Sequence, residues 1–319
     1  MQIRILTGDE VRQALPMTKA IEAMRSAFGQ FSAGQATVPL RSRLQTDKGV
    51  LLLMPAYMSS GNEMAVKLVS VYGGNPALGL PTVSALVVVF DPQTGRPKAL
   101  MEGDALTALR TGAGGGLAAD LLSRAQTARV TLFGAGVQGR AQLQAVMAVR
   151  NVEEVVLMDP AAEAARRLAE EIATWPAAPE VKIGKDVRAA VQKADIILTA
   201  TTSTTPLFDG GYVRPGTHIT GVGSFTPDMQ EIDADLVKRA RVVVDSRQGC
   251  LAEAGDIIMA GADISAELGE IVNGRAPGRL DDQEITFFKS VGMAAQDAAA
   301  AAAALASAEA LGLGTVVNL

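Results

Sequence analysis

The chain has 319 residues, of which 48% are hydrophobic and 20% charged, with a formal net charge of −5. That is the balance of a globular protein with material for two domains, and the acidic surplus argues against nucleic acid or an anionic membrane as partner, since both require a concentrated basic face. Its one cysteine, Cys250, has no internal disulfide partner, fits a reducing compartment and has no neighbouring Cys or His to activate it, so it reads as a packing residue.

The N-terminal Met1-Gln2-Ile3-Arg4-Ile5-Leu6 lacks the apolar core of a signal peptide, and no uninterrupted apolar stretch reaches bilayer length; the expectation is a cytoplasmic protein without a membrane partner. Residues 16–33 follow as an amphipathic helix, with Ile21, Met24, Phe28 and Phe31 on one stripe. Val38–Gln45, Val50–Pro55, Ala65–Val71 and Thr82–Phe90 are β-rich, and the turn Asp91-Pro92-Gln93-Thr94-Gly95 leads into Pro97–Glu102, so this section reads as a largely antiparallel sheet. Arg41 and Arg43 are two apart and share a face of its first strand, either as a solvated face or as a pair of planar forks able to grip a carboxylate. Lys67 stands in the apolar run Ala65-Val66-Lys67-Leu68-Val69, where an ammonium is expensive to bury without a partner. A helix from about Asp104 to Leu122 leaves this section.

From Ala128 the pattern alternates short strands with helices or turns: Val130–Phe133, Val155–Met158, Val181–Ile183, Ile196–Ala200, His218–Val222 and Val242–Asp245. Residues 294–311 are an Ala-rich helix whose Gln296, Asp297 and Glu309 argue against a membrane span; it is expected to return to the N-terminal domain.

Gly134-Ala135-Gly136-Val137-Gln138-Gly139 follows directly on the β-rich run Arg129–Phe133, and Asp159 closes the next apolar strand. The first glycine permits the tight turn, the second lets backbone approach a pyrophosphate, and the third lets the following helix pack on the strand with its amides facing the phosphates. Asp159 suits a ribose 2′-OH and repels a 2′-phosphate, so NAD(H) is favoured, with NADP(H) as the alternative because Arg166 and Arg167 lie on the next helix. Asp159 also reads as the N-cap of a helix over Ala161–Ala173, which is compatible with that role. Together these elements predict an α/β fold: a Rossmann-type doubly wound parallel sheet over residues 113–292, and a discontinuous α+β domain from residues 1–112 with 293–319. The single histidine, His218, opens a strand and reads as structural; no zinc spacing, nucleophile elbow or P-loop lysine is present, so no metal is expected. The segment Gly221–Asp228 follows a sheet strand at the edge where doubly wound folds bind ligands.

Met54-Pro55-Ala56-Tyr57, Lys67, Thr107-Ala108-Leu109-Arg110-Thr111, the glycine turn, Glu253-Ala254-Gly255-Asp256, Ala266-Glu267-Leu268-Gly269-Glu270 and Phe288-Lys289-Ser290-Val291-Gly292-Met293 occur in this order, and through them the chain resembles the ornithine cyclodeaminase/mu-crystallin family over essentially its whole length. The resemblance implies a homodimer in which the discontinuous domain binds substrate and dimerises. It implies that Arg41, Lys67 and Arg110 hold a substrate carboxylate and carry the catalysis, with Ser224 beside the substrate. It further implies cofactor contacts from Thr82, Arg110, Thr111, Gly134, Gly136, Val137, Gln138, Gly139, Asp159, Thr201, Val222 and Ser290.

One departure bears on the reaction. Cyclodeaminases of the family have an aspartate where this chain has Ser224, and a serine is no carboxylate base near neutral pH. The run Gly223–Glu231 resembles the family's reductases of cyclic imino acids. The expected activity is therefore NAD(P)H-dependent reduction of Δ1-pyrroline-2-carboxylate and Δ1-piperideine-2-carboxylate to L-proline and L-pipecolate. Ornithine cyclodeaminase or alanine dehydrogenase activity, or a non-catalytic ligand-binding role like that of mu-crystallin, are the alternatives.

Overall fold

The computed structural model describes residues 1–319. The chain opens with β1 (Gln2–Leu6), α1 (Gly8–Ala14), α2 (Met17–Ser32), β2 (Ala36–Thr37), β3 (Ser42–Gln45), β4 (Val50–Met58), β5 (Glu63–Val71), β6 (Val83–Phe90) and β7 (Pro97–Glu102). Helix α3 (Gly103–Leu122) leads to β8 (Arg129–Phe133), α4 (Val137–Val149), β9 (Glu154–Met158), α5 (Ala162–Ile172), β10 (Glu180–Ile183), α6 (Val187–Lys193), β11 (Ile196–Thr199) and β12 (His218–Gly221). Then come α7 (Ala234–Arg239), β13 (Arg241–Val244), α8 (Arg247–Glu253), α9 (Gly255–Ala260), β14 (Ala266–Glu267), α10 (Leu268–Val272), β15 (Thr286–Lys289), α11 (Ala294–Leu311) and β16 (Thr315–Asn318). Two compact units result, Met1–Arg110 with Met293–Leu319, and Thr111–Gly292.

In the first unit, the strands run in the order β16-β1-β7-β6-β5-β4-β2, with β3 also on β4. All pairs are antiparallel except β1 with β7. The period of two is clear: Met54, Ala56, Ala65, Lys67, Val87 and Val89 are buried, while Leu53, Tyr57 and Leu86 on alternate positions are exposed. Helix α11 packs against β4, β5 and α2. Its alanines are the reason it can lie so close, since Ala298, Ala299, Ala300 and Ala301 are all buried and carry no bulk beyond Cβ. It ends at Gly312, whose φ of 67° is the left-handed conformation that terminates helices.

The second unit is a wholly parallel sheet in the order β10-β9-β8-β11-β12-β15-β13-β14. Strand order runs outward from β8 to β10 and then returns to place β11 on the other side of β8, so the topological switch point lies between β8 and β11. Leu132, Leu143, Val155, Leu157 and Leu198 form one core; Phe133, Ile197, Ile219, Val244 and Phe287 belong to another. α3 approaches α4 closely because it carries glycine there: a Cβ on Gly112 would lie 2.5 Å from the Ala141 carbonyl oxygen.

The expected doubly wound sheet is present, with several differences in detail. Of the anticipated strand Val38–Gln45 only Ser42–Gln45 forms, because Pro39 has no N–H to give a ladder. Arg41 therefore lies outside any strand, Arg43 is exposed on β3, and the shared face expected for the pair does not form. Phe31 is half-buried where the other three residues of its stripe are buried. Strands β1, β2, β14, β15 and β16 lie outside the segments the sequence marks as strands; β15 is a central strand, paired on both sides.

Candidate active site

In the Thr111–Gly292 unit, the turn after β8 is shaped by its glycines. Gly134 has φ +95°, and a Cβ there would lie 2.5 Å from the Ala200 carbonyl oxygen; a Cβ on Gly139 would lie 1.9 Å from that of Gly134. Only hydrogen at position 139 lets α4 start this close to the strand. At Gly136 the Cβ direction is empty to 4 Å, no side chain caps α4, and Val137 is 67% exposed. Gln138 keeps its Oε1 buried without a partner. An open, uncapped helix N-terminus behind a glycine turn fits a pyrophosphate, which needs backbone N–H donors and close approach. Asp159, half-buried at the end of β9, accepts from the Ala135 amide at 2.7 Å and the Ala161 amide at 2.8 Å. It braces the turn; the N-cap of α5 is Ala161, so the expected capping role of Asp159 is not the observed one.

Beside this turn, buried carboxylates tie the loops at the strand ends together. Glu231 is fully buried and accepts from the Thr201 amide at 2.6 Å, the Thr201 hydroxyl at 2.8 Å, the Gly223 amide at 2.8 Å and the Thr199 hydroxyl at 3.0 Å. One side chain thus joins the ends of β11 and β12. Asp256 accepts from the Glu231 and Ile232 amides at 2.7 and 3.0 Å and pairs with the Lys289 ammonium at 3.1 Å. Asp245 takes the Ser290 hydroxyl at 2.7 Å and the Val291 and Gly292 amides at 3.0 and 2.7 Å, which fixes the loop after β15.

Ser224, expected beside the substrate, is fully buried: it accepts from Lys289 Nζ at 2.6 Å and donates to Asp256 Oδ2 at 2.5 Å, so its hydroxyl is unavailable to a ligand. The residue of this turn that faces outward is Phe225, 47% exposed. Val222 and Ser290 are also buried, and Thr111 is half-buried with its carbonyl accepting from Gln142 Nε2 at 2.9 Å. His218 is fully buried between the Thr286 and Thr220 hydroxyls at 2.9 and 3.0 Å, and burial pushes its imidazole down to about 3. Cys250 is buried as expected of a packing residue, its thiol pushed up by burial and by the charge of Asp245.

The other unit holds the cationic candidates. Lys67 points from β5 to the buried face with 3% exposure, and its Nζ lies 3.4 Å from Asp297 Oδ1. Arg110, buried on α3, donates through Nε to the same oxygen at 3.1 Å and through Nη1 to Gln296 Oε1 at 3.2 Å. Arg41 is half-buried just before β3 and close enough for its charge to act on Lys67. The Lys67 ammonium is lowered to about 8: burial lowers it most, Asp297 opposes that, and Arg110 and Arg41 add to the lowering. Asp104, also on α3, is raised by burial and then by the Glu102 charge. Thr82 is exposed immediately before β6, its carbonyl accepting from the Tyr72 amide at 2.8 Å. Two of these cations contact one buried carboxylate, with the Arg41 charge acting on Lys67 as well, an arrangement with surplus positive charge that attracts a small acid. Asp297 and Gln296 went unrecognised as site residues because the Ala-rich run around them signals only helix propensity. Glu231, Asp245, Asp256 and Lys289 were missed too, although three of them lie in segments that carry the family resemblance or flank the Ser224 turn.

A parallel sheet reversing at β8 and β11, with an uncapped glycine turn at that edge, defines the class as a Rossmann-type doubly wound protein shaped for a dinucleotide. The chain belongs to the ornithine cyclodeaminase/mu-crystallin family, whose sequence profile matches residues 1–310. It is 36% identical over 303 residues to the Δ1-pyrroline-2-carboxylate reductase of Bacillus cereus, spanning 92% of this chain and 93% of that one. Its structure is similar to that of Thermococcus litoralis Δ1-pyrroline-2-carboxylate reductase in complex with NADH and L-proline, with a TM-score of 0.93 and 40% identity over 99% of this chain and 100% of that one. An archaeal alanine dehydrogenase dimer with bound NAD matches with a TM-score of 0.93 and 32% identity over 100% of both chains.

Proposed function

We propose that this protein reduces cyclic imino acids with NADH, converting Δ1-pyrroline-2-carboxylate to L-proline and the six-membered Δ1-piperideine-2-carboxylate to L-pipecolate. The observation that carries the reading is the buried cluster of Lys67 and Arg110, with Arg41 beside it and a single carboxylate between the two buried cations. The Thermococcus relative, bound to NADH and L-proline, supports it.

Bound dihydronicotinamide supplies the hydride. The guanidinium groups of Arg41 and Arg110 bind the substrate carboxylate and fix the orientation of the ring, so catalysis is largely positioning. Lys67 delivers the proton that the ring nitrogen carries in the product: one hydride and one proton add across C=N, and nothing leaves. Its ammonium, lowered to about 8, is acidic enough to serve near neutral pH. Gly134, Gly136, Val137, Gln138 and Gly139 cradle the pyrophosphate, and Asp159 receives the adenosine ribose. NAD(H) is favoured over NADP(H) because the Asp159 carboxylate at the end of β9 would repel a 2′-phosphate, and Arg166 on α5 is paired with Glu163 at 2.5 Å.

The protein acts as a homodimer through the outer face of the first unit's sheet, where Leu53, Tyr57 and Leu86 are exposed together; the dimeric archaeal relative supports this. No helix is long and apolar enough to cross a membrane, and the single buried thiol suits the cytoplasm. Steady-state assays with both imines and both dinucleotides test the reading, with ornithine alone and pyruvate plus ammonia as controls. Imine-dependent NADH oxidation is the expected result; ammonia release from ornithine, or ammonia-dependent turnover of pyruvate without imine reduction, assigns the other chemistries. Dinucleotide binding without turnover of any substrate assigns a binding protein.

A further inference from the structure

We propose that Asp297 is the positioning residue of this site: a single carboxylate oxygen fixes both the Lys67 ammonium and the Arg110 guanidinium and keeps the lysine charged for its work as acid. The inference rests on the reading of Lys67 as proton donor.

The geometry is specific. Asp297 Oδ1 is shared by Lys67 Nζ at 3.4 Å and Arg110 Nε at 3.1 Å, so two cations from different elements, β5 and α3, converge on one atom in the first turn of α11. That turn is itself anchored, since Gln296 Oε1 accepts from the Met293 amide at 2.9 Å as well as from Arg110 Nη1 at 3.2 Å. Asp297 is 1% exposed, and its other oxygen, Oδ2, is buried with no partner. A carboxylate kept for core cohesion alone would have both oxygens satisfied. This one is retained with half its capacity unused, as expected where its charge acts on its neighbours.

The charged groups facing Lys67 decide the sign. Arg110 from α3 and Arg41 from the segment before β3 oppose its proton, and burial does so most strongly; Asp297 from α11 favours it. Asp104 on α3 also faces Lys67, but its own carboxyl is raised by burial and by Glu102, which makes it the weaker counter-charge. Removing the Asp297 charge leaves the weaker Asp104 against burial, Arg110 and Arg41, so the lysine gives up its proton more readily.

The test is the pH profile of kcat/KM for imine reduction in Asp297→Asn and in Gln296→Glu, with NADH affinity measured separately by fluorescence. Asp297→Asn should move the alkaline limb, near pH 8 in the wild type, downward by at least one unit, about a fivefold loss at the wild-type midpoint, with NADH affinity within twofold. Gln296→Glu keeps the acceptor oxygen and replaces an Nε2 that has no hydrogen bond, so no existing bond is lost, and its added negative charge should move the limb upward. Limbs unmoved in both variants overturn the proposal, as does a loss of NADH affinity matching the loss of activity. Nζ titration by lysine-selective NMR on the full chain reads the same shifts without turnover. A wild type that reduces no imine but whose Lys67 titration still responds to Gln296→Glu therefore refutes the reductase reading alone.

Discussion

Lys67 shows how one residue couples stability and chemistry. Its folded value lies near 8 against an ordinary 10.5, so between those pH values the unfolded chain binds a proton that the folded chain does not. The destabilisation, about 3 kcal/mol by the linkage relation, is therefore fully present below pH 8 and is relieved as pH rises toward 10.5. Lys67→Met removes the buried charge and leaves Asp297 paired with Arg110; urea unfolding should show this pH dependence gone and stability at pH 7 maintained or raised, while kcat/KM falls roughly 10²- to 10⁴-fold as for a lost general acid. Arg41→Ala should separate substrate from cofactor: KM for the imine rises more than about tenfold, the order expected for losing a charge-assisted bond, and NADH affinity is unchanged. Equal losses in both would remove Arg41 from the carboxylate clamp. Gly139→Ala reports on the other ligand, because its Cβ would meet the Gly134 carbonyl oxygen at 1.9 Å and force the turn open, abolishing NADH binding measured by fluorescence.

At the scale of elements, the sheet edge is a set of short loops held by carboxylates that lie elsewhere in the chain. Glu231→Gln keeps the size of the side chain but cannot accept from four donors as a carboxylate does. It should cost about 1–3 kcal/mol in unfolding free energy and weaken NADH binding, since the loops after β11 and β12 are freed together. NADH affinity equal to wild type would show that those loops hold no cofactor. The same distance in sequence explains what could be read beforehand. The glycine turn and Asp159 were legible because a strand, a turn and a helix start are local patterns. The partnership of Lys67 with Asp297 spans 230 positions, and nothing in an alanine-rich helix marks one aspartate as a counter-ion. Strand β15 escaped notice because four residues, Thr286–Lys289, give too little periodicity and its partners β12 and β13 are reached only through crossovers. The period-two spacing of Arg41 and Arg43 predicts a shared strand face, but Pro39, which has no N–H to give a ladder bond, keeps the strand from starting before Ser42. Ser224 and Phe225 are adjacent, so composition could not tell which would face inward.

For the whole molecule, His218 sets an acid limit. Its folded value near 3 against 6.5 means that stability present above pH 6.5 is lost as pH falls toward 3, at about 1.4 kcal/mol per pH unit for one proton. His218→Gln should flatten that slope in thermal or urea unfolding between pH 6 and 4. Association is tested on the outer sheet face: Leu86→Glu should convert a particle of twice the chain mass into one of the chain mass in light scattering, and a wild type already monomeric would contradict the proposed dimer. The central claim, that a bound dihydronicotinamide reduces an imine whose acid group sits on Arg110 and Arg41, is tested most directly by incubating the protein with Δ1-pyrroline-2-carboxylate and NADH deuterated at C4 and analysing the product by mass spectrometry. The account predicts L-proline carrying one deuterium on the α-carbon, from whichever C4 position is transferred. Proline without deuterium when each C4 position is labelled in turn, or unchanged imine with intact cofactor, would contradict it.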